Sequence, residues 1–98
     1  MSKSKTDFNA QAAVFGVNLR TARKELGYTM KEFAGFVDVT TAYVGLIERG
    51  ERNPSLQTIL RICDFVGADI GKMLTPQKPS APFLSKESIA KSQSSKKK

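Results

Sequence analysis

Apolar residues recur through most of the chain at steps of three and four, the spacing of a helix that buries one face. The first stretch runs from Phe8 to Leu26, and Gly27 follows it at the position where a left-handed residue commonly ends a helix. Shorter stretches follow over about residues 30–37, 41–49, 56–66 and 69–74. No stretch alternates apolar and polar residues as a half-buried strand does, so the pattern predicts an all-α fold of five short helices within residues 8–75.

Hydroxyl-bearing residues stand at the predicted starts of the second, third and fourth helices. Thr29 is followed three residues later by Glu32, which is the sequence signature of a capping box. Thr40 and Ser55 are expected to cap the third and fourth helices with their side chains. The fourth helix is expected to bury a stripe of six apolar residues, namely Leu56, Ile59, Leu60, Ile62, Cys63 and Val66.

The second and third predicted helices are joined by a turn too short for them to lie antiparallel. Val39 is an apolar residue within that turn, and the small residue Ala34 lies midway along the second helix. A small residue allows two helices to cross closely, and an apolar turn residue anchors the turn to a core. The segment from Thr29 to Asn53 is therefore predicted to be a helix-turn-helix, whose second helix fits the major groove of DNA.

Residues 76–98 are rich in Pro, Ser and Lys and poor in apolar residues, so we expect a flexible, disordered basic tail. An alternative is that Phe83, Leu84 and Ile89 form a segment that binds a partner protein. The tail also holds most of the charge. Residues 8–75 carry eight basic and seven acidic side chains (net +1), whereas residues 76–98 carry six lysines and one glutamate (net +5). A DNA-binding function must therefore be argued from the motif and not from the net charge of +7.

Composition excludes several classes of protein. The chain has no histidine and a single cysteine, Cys63, so neither a His/Cys zinc site nor an internal disulfide is expected, and Cys63 is interpreted as a packed thiol. No glycine-rich phosphate loop, cofactor motif or catalytic set of acids and bases is present, so we expect no cofactor and no enzymatic activity. No apolar run is long enough for a membrane span or a signal peptide, and a cytoplasmic protein is expected.

A more specific signal comes from residues at fixed positions around the predicted helix-turn-helix. They are Leu19-Arg20 and Arg23, then Gly27, Thr29, Glu32-Phe33-Ala34, Val37, Val39 and Val44, then Ile47-Glu48-Arg49-Gly50, Arg52-Asn53-Pro54-Ser55-Leu56, and 60–67. In these residues the chain resembles the Cro/phage-repressor family of helix-turn-helix regulators, also called the xenobiotic-response-element family. The tail has no counterpart in the family pattern.

The resemblance implies a five-helix, repressor-like DNA-binding domain over residues 8–75, and commonly a homodimer that reads a palindromic site with the third helix. It assigns DNA contacts to nine residues, namely Thr40, Thr41, Ala42, Tyr43, Gly45, Leu46, Arg49, Arg52 and Asn53. It also implies a partly buried ion pair between Arg23 and Glu48.

Several residues depart from the family pattern. Met30 occupies a position where many members have a glutamine that contacts phosphate, and Asp38 stands where the turn usually has glycine. The outer face of the third helix is poor in long polar residues, because Gly45 and Leu46 are apolar there. Paired hydrogen bonds to guanine are therefore not expected from the middle of this helix, whereas apolar contacts to thymine methyl groups are.

The most strongly indicated function is a homodimeric transcriptional regulator, with Phe65, Ile70 and Met73 as candidates for an exposed apolar dimer interface. An antitoxin-like protein, whose tail binds a partner while the domain regulates its own operon, is the main alternative. A third is an adaptor that binds protein or RNA, which the weakly polar recognition face leaves open.

Overall fold

The computed structural model describes residues 8–77 and 82–84. Within these residues it contains five helices and no strand: α1 (Phe8–Leu26), α2 (Met30–Val37), α3 (Thr41–Glu48), α4 (Leu56–Val66) and α5 (Ile70–Met73). The predicted all-α, five-helix fold is confirmed. None of the helices in this described part is long and apolar enough to cross a membrane.

The helix ends follow local hydrogen-bonding rules. The Thr29 hydroxyl accepts the Glu32 N–H at 3.0 Å, and the Glu32 carboxylate accepts the Thr29 N–H at 3.0 Å, which confirms the capping box. Thr40 and Ser55 cap α3 and α4 as predicted. Asp38 ends α2 in the left-handed region with φ 59°, a conformation that aspartate tolerates better than most residues do.

The core lies between α1 and the other helices. Its largest fully buried side chains are Phe33, Leu19, Leu26, Ile47, Ile62, Met73, Val37, Val44 and Val66. A polar residue also lies inside: the side-chain amide of Asn18 on α1 donates to the carbonyl of Met73 at 2.7 Å and to that of Thr75 at 3.0 Å. These carbonyls at the end of α5 have no partner within that short helix, so Asn18 joins α1 to α5.

Two expectations about buried and exposed apolar residues are wrong. Leu56 and Leu60 are 64% and 52% exposed, because α4 buries the face centred on Ile62 and Val66, and its six apolar residues span a wider arc than that face. Met73 is 0% exposed and belongs to the core, so it cannot form part of an exposed patch. Of the other two predicted interface residues, Ile70 is 37% exposed, and Phe65 is half-buried against the ring of Phe36.

The tail also differs from the expectation. Phe83 and Leu84 are only 2% and 4% exposed and pack against the core. Their backbone N–H groups donate to the two carboxylate oxygens of Glu25 on α1, each at 2.7 Å. Phe83 and Leu84 therefore dock on the domain where the Glu25 carboxylate accepts their amides. Because both side chains are buried there, neither is available to a partner protein. Residues 78–81 and 85–98 of the predicted tail, including Ile89, lie outside the described residues.

The contact between α1 and α3 is very close at Gly16. A Cβ built on Gly16 would come within 2.7 Å of the Glu48 carbonyl oxygen and would also overlap the Ile47 carbonyl. Only glycine therefore allows the two backbones to approach to this distance.

The side chains of Arg23 on α1 and Glu48 on α3 meet beside this contact. Arg23 Nε and Nη2 donate to the two carboxylate oxygens of Glu48 at 2.6 and 3.1 Å, and Nη1 donates to the Tyr28 carbonyl at 2.9 Å. The two side chains are 9% and 5% exposed, so this is a buried ion pair in the paired geometry that makes arginine–carboxylate bonds strong.

Replacing Gly16 with alanine should lower the free energy of unfolding by about 1–3 kcal/mol or more, because backbone carbonyls cannot rotate away from the added methyl group. Gly35→Ala is the matched control. Gly35 is exposed in α2, and a Cβ added to it would have nothing within 4 Å, so alanine there should stabilise by about 0.5–1 kcal/mol. Urea unfolding of both variants measures the difference, and equal shifts would contradict the close contact.

Arg23→Ala should lower the free energy of unfolding by about 3–5 kcal/mol, because it leaves the Glu48 carboxylate buried without its partner. Arg49→Ala is the control, since its ion pair with Glu51 is more than half exposed (57% and 55%) and should contribute only about 0–1 kcal/mol. Thermal melting compares the two. An unchanged midpoint for Arg23→Ala would show that the buried pair contributes nothing.

Candidate DNA interface

Helix α3 is anchored by its inner face and presents its start to solvent. Val44 and Ile47 are buried against the core, whereas Thr40, Thr41 and Ala42 are exposed. The Thr40 hydroxyl oxygen accepts the Tyr43 N–H at 3.0 Å, which leaves its proton available for a hydrogen bond to another acceptor. The exposed start of α3 thus offers two hydroxyl groups and three methyl groups on one short surface.

Two of the residues assigned to the outer face of α3 are less accessible than expected. Leu46 is half-buried. Gly45 is buried, because Arg49 Nη1 and Met30 Sδ lie 3.2 and 3.7 Å from the position that a Cβ would occupy there. Gly45 was predicted to contact DNA, and in this structure the ends of the Arg49 and Met30 side chains cover it.

The loop after α3 returns to the start of that helix. The guanidinium carbon of Arg52 lies 5.6 Å from the centroid of the Tyr43 ring, in a cation–π arrangement. Arg49 Nε bonds to the Glu51 carboxylate at 3.2 Å, and this pair is exposed. The loop therefore places two guanidinium groups close to the surface that α3 presents.

Arg20 on α1 is a further cation at this surface that the sequence analysis did not assign to the site. It is exposed and lines a depression of about 290 Å³ together with Arg23, Met30, Glu48 and Arg49. Arg23 is already paired with Glu48, so Arg20 and Arg49 are the cations that this depression offers to an anion. The sequence signals for Arg20 were its place in the Leu19-Arg20 pair of the family pattern and its position one helical turn before Arg23.

Asn53, a predicted phosphate contact, is an exposed residue of the loop after α3. Asn53 lines a groove of about 690 Å³. The other residues that line this groove, here called the apolar groove, are Gln11, Ala12, Phe15, Pro54, Ile59 and Leu74. The exposed Leu56 lies one helical turn before Ile59, and the partly exposed Ile70 one turn before Leu74. Leu56 of α4 and Ile70 of α5 thus each lie one helical turn from a residue that lines this groove.

The titratable groups with shifted pKa values are not at this surface. Burial raises the pKa of the Cys63 thiol, and the nearby Asp69 carboxylate raises it further. The thiol of Cys63 therefore stays protonated at neutral pH, as a packed core residue does. Within residues 8–77 and 82–84, no three His, Cys, Asp or Glu side chains cluster closely enough to hold a metal ion.

Comparison with known proteins places this geometry in a family. A family model described as Helix-turn-helix matches residues 19–72, which is more than half of the chain. The chain is 32% identical over 68 residues to the uncharacterized HTH-type transcriptional regulator YazB of Bacillus subtilis, covering 69% of this chain and 99% of that protein. It is 34% identical over 56 residues to the HTH-type transcriptional regulator DdrOP3 of Deinococcus deserti, covering 57% of this chain and 43% of that protein.

A solved structure shows the same fold. The restriction-modification controller protein C.AhdI of Aeromonas hydrophila superimposes with a TM-score of 0.63 at 31% identity, covering 71% of this chain and all of that one. The resemblance drawn from the sequence motifs is confirmed, and the related proteins are transcriptional regulators and not enzymes. The chain belongs to the Cro/C1-type helix-turn-helix family of DNA-binding transcriptional regulators.

Proposed function

We propose that the protein is a repressor or controller that binds a palindromic operator as a homodimer, with the start of α3 in the major groove. The observation that carries the proposal is the exposed start of α3 beside the Tyr43–Arg52 pair, on a helix held by the buried Arg23–Glu48 bond. Such a regulator acts where the chromosome is, so we place it in the cytoplasm.

Each exposed group has a chemical role in this proposal. Thr41 reads base edges, since it combines a hydroxyl with a methyl group, and Ala42 and Leu46 contact thymine methyl groups. Arg20, Arg49 and Arg52 bind phosphates, which orients the domain on DNA without reading sequence. Tyr43 holds Arg52 at the edge of this surface.

We propose that the dimer interface consists of the apolar groove together with Leu56 and Leu60. It replaces the predicted patch of Phe65, Ile70 and Met73, because Met73 is buried. Leu56 and Leu60 are more than half exposed on α4, the helix from which Ile59 lines the groove, and most of the other lining residues are apolar. A two-fold interface presents the same patch from both subunits, so one self-complementary apolar face suffices. It would place two recognition helices about 34 Å apart, one turn of DNA.

Thr41→Ala should lower affinity for the preferred site by about 1–3 kcal/mol and relax the preference at one or two base pairs. Arg52→Ala should weaken binding to all sequences alike and reduce the salt slope by about one, because it loses a phosphate contact. The site is first selected from a random DNA pool, and each variant is then titrated against it, its single-base variants and random DNA at several salt concentrations.

Lys24→Ala serves as the control for these titrations, since it removes an exposed positive charge of α1 that lies outside the proposed contacts. If Thr41→Ala binds every sequence as the wild type does, α3 does not read the DNA. Selective binding of RNA or of a protein would then favour the adaptor alternative.

Leu60→Lys should convert the dimer to a monomer and weaken operator binding, because it places a charge in the proposed apolar interface. Val17→Lys is the matched control: Val17 is similarly exposed (61%) but does not line the apolar groove. Sedimentation velocity of the full chain, free and with operator DNA, measures the assembly state. A monomeric wild type in both conditions, or a dimer that survives Leu60→Lys, would refute the proposed interface.

A further inference from the structure

The C-terminal segment is bound to the domain through its backbone. The N–H groups of the consecutive residues Phe83 and Leu84 donate to the two oxygens of the single Glu25 carboxylate, both at 2.7 Å. Hydrogen bonds to an ionised acceptor are stronger than those between neutral groups. This paired arrangement requires a bent segment in which two adjacent free amides point the same way, so it discriminates against proline at either position.

The side chains of the same two residues are recognised as well. Both are buried, and the Lys72 ammonium of α5 lies 5.0 Å from the centroid of the Phe83 ring. Glu25, Lys72 and the apolar surface beneath Phe83 and Leu84 are here called the tail site. The site therefore has one anionic wall on α1, one cationic wall on α5 and an apolar floor.

The walls of the tail site are held together without the segment. The Asn18 amide of α1 bonds to the carbonyls of Met73 and Thr75, which fixes α1 against the end of α5. Residues 82–84 belong to no helix, and the N–H bonds to Glu25 are their only connection to α1 through the backbone among the described hydrogen bonds. A preformed groove that holds a non-helical segment by two backbone amides and two apolar side chains has the elements of a peptide-binding site, in which main-chain hydrogen bonds give affinity and side-chain pockets give specificity.

We propose that the tail site is a peptide-binding site specific for an aromatic residue followed by an aliphatic one, and that its resident ligand is this chain's own Phe83-Leu84. The same sequence supplied by another molecule binds there once the resident segment is removed.

The test uses the full-length Phe83→Ser, Leu84→Ser double variant and a synthetic peptide with the sequence of residues 78–87. Amide signals of the labelled protein are followed by NMR during the titration. The peptide should bind saturably, shift the signals of Asn18, Glu25 and Lys72, and bind the wild type at least tenfold more weakly, because there the site is filled. Adding Glu25→Gln to the double variant should lower peptide affinity at least tenfold, whereas adding Glu51→Gln, an exposed acid elsewhere, should not.

A peptide methylated on the amide nitrogens of Phe83 and Leu84 tests the paired hydrogen bonds, because it keeps the side chains and loses both donors. It should not bind. Equal binding of the methylated peptide, or equal binding of the plain peptide to wild type and double variant, would overturn the proposal.

If the double variant does not fold, amide hydrogen exchange in the full-length Glu25→Gln single variant tests the proposal instead. Glu25→Gln should accelerate exchange of the Phe83 and Leu84 amides at least tenfold relative to the wild type and to Glu51→Gln. Unchanged exchange would overturn the proposal equally.

Discussion

The guanidinium of Arg23 connects three parts of the chain, since it bonds to Glu48 at the end of α3 and to the Tyr28 carbonyl in the turn before α2. Helices α2 and α3 are each eight residues long, too short to be stable in isolation. Their orientation therefore comes from tertiary contacts. Hydrogen bonds have a preferred direction, whereas the hydrophobic effect has none. The bonds of Arg23 therefore restrict the orientation of α2 and α3 relative to α1 more tightly than apolar contacts do.

Features that depend on neighbours in sequence were predictable. The capping box of Thr29 and Glu32, the left-handed Asp38 and the ends of α4 all arise within a few residues, and the structure has each of them. The buried face of a helix was predictable where its apolar residues form a single stripe no wider than the face that the core can bury. In α4 it was not, because its apolar residues cover more of the circumference than the core can bury, and Leu60 remains outside.

Apart from the Arg23–Glu48 pair, which the family resemblance implied, the features that join distant segments carried no signal in the sequence. In the sequence, Asn18 is an ordinary polar residue of α1, and nothing near it indicates that its amide bonds to the Met73 carbonyl 55 positions later. Glu25 and Phe83 are 58 positions apart, and the composition of the tail predicted disorder for a segment in which two adjacent apolar residues suffice to dock. Gly45 is covered by the flexible side chains of Met30 and Arg49, which no spacing rule anticipates.

The absent side chain of Gly16 has a mechanical consequence. The backbone of α1 contacts the Ile47 and Glu48 carbonyls directly at Gly16. No side chains lie between the two helices at that point that could rearrange to permit movement. Helix α3 cannot roll or slide against α1 without a clash, so the domain meets DNA as one stiff body. We therefore expect this regulator to be switched by a change in its assembly state or its availability, and not by rotation of α3 within one domain.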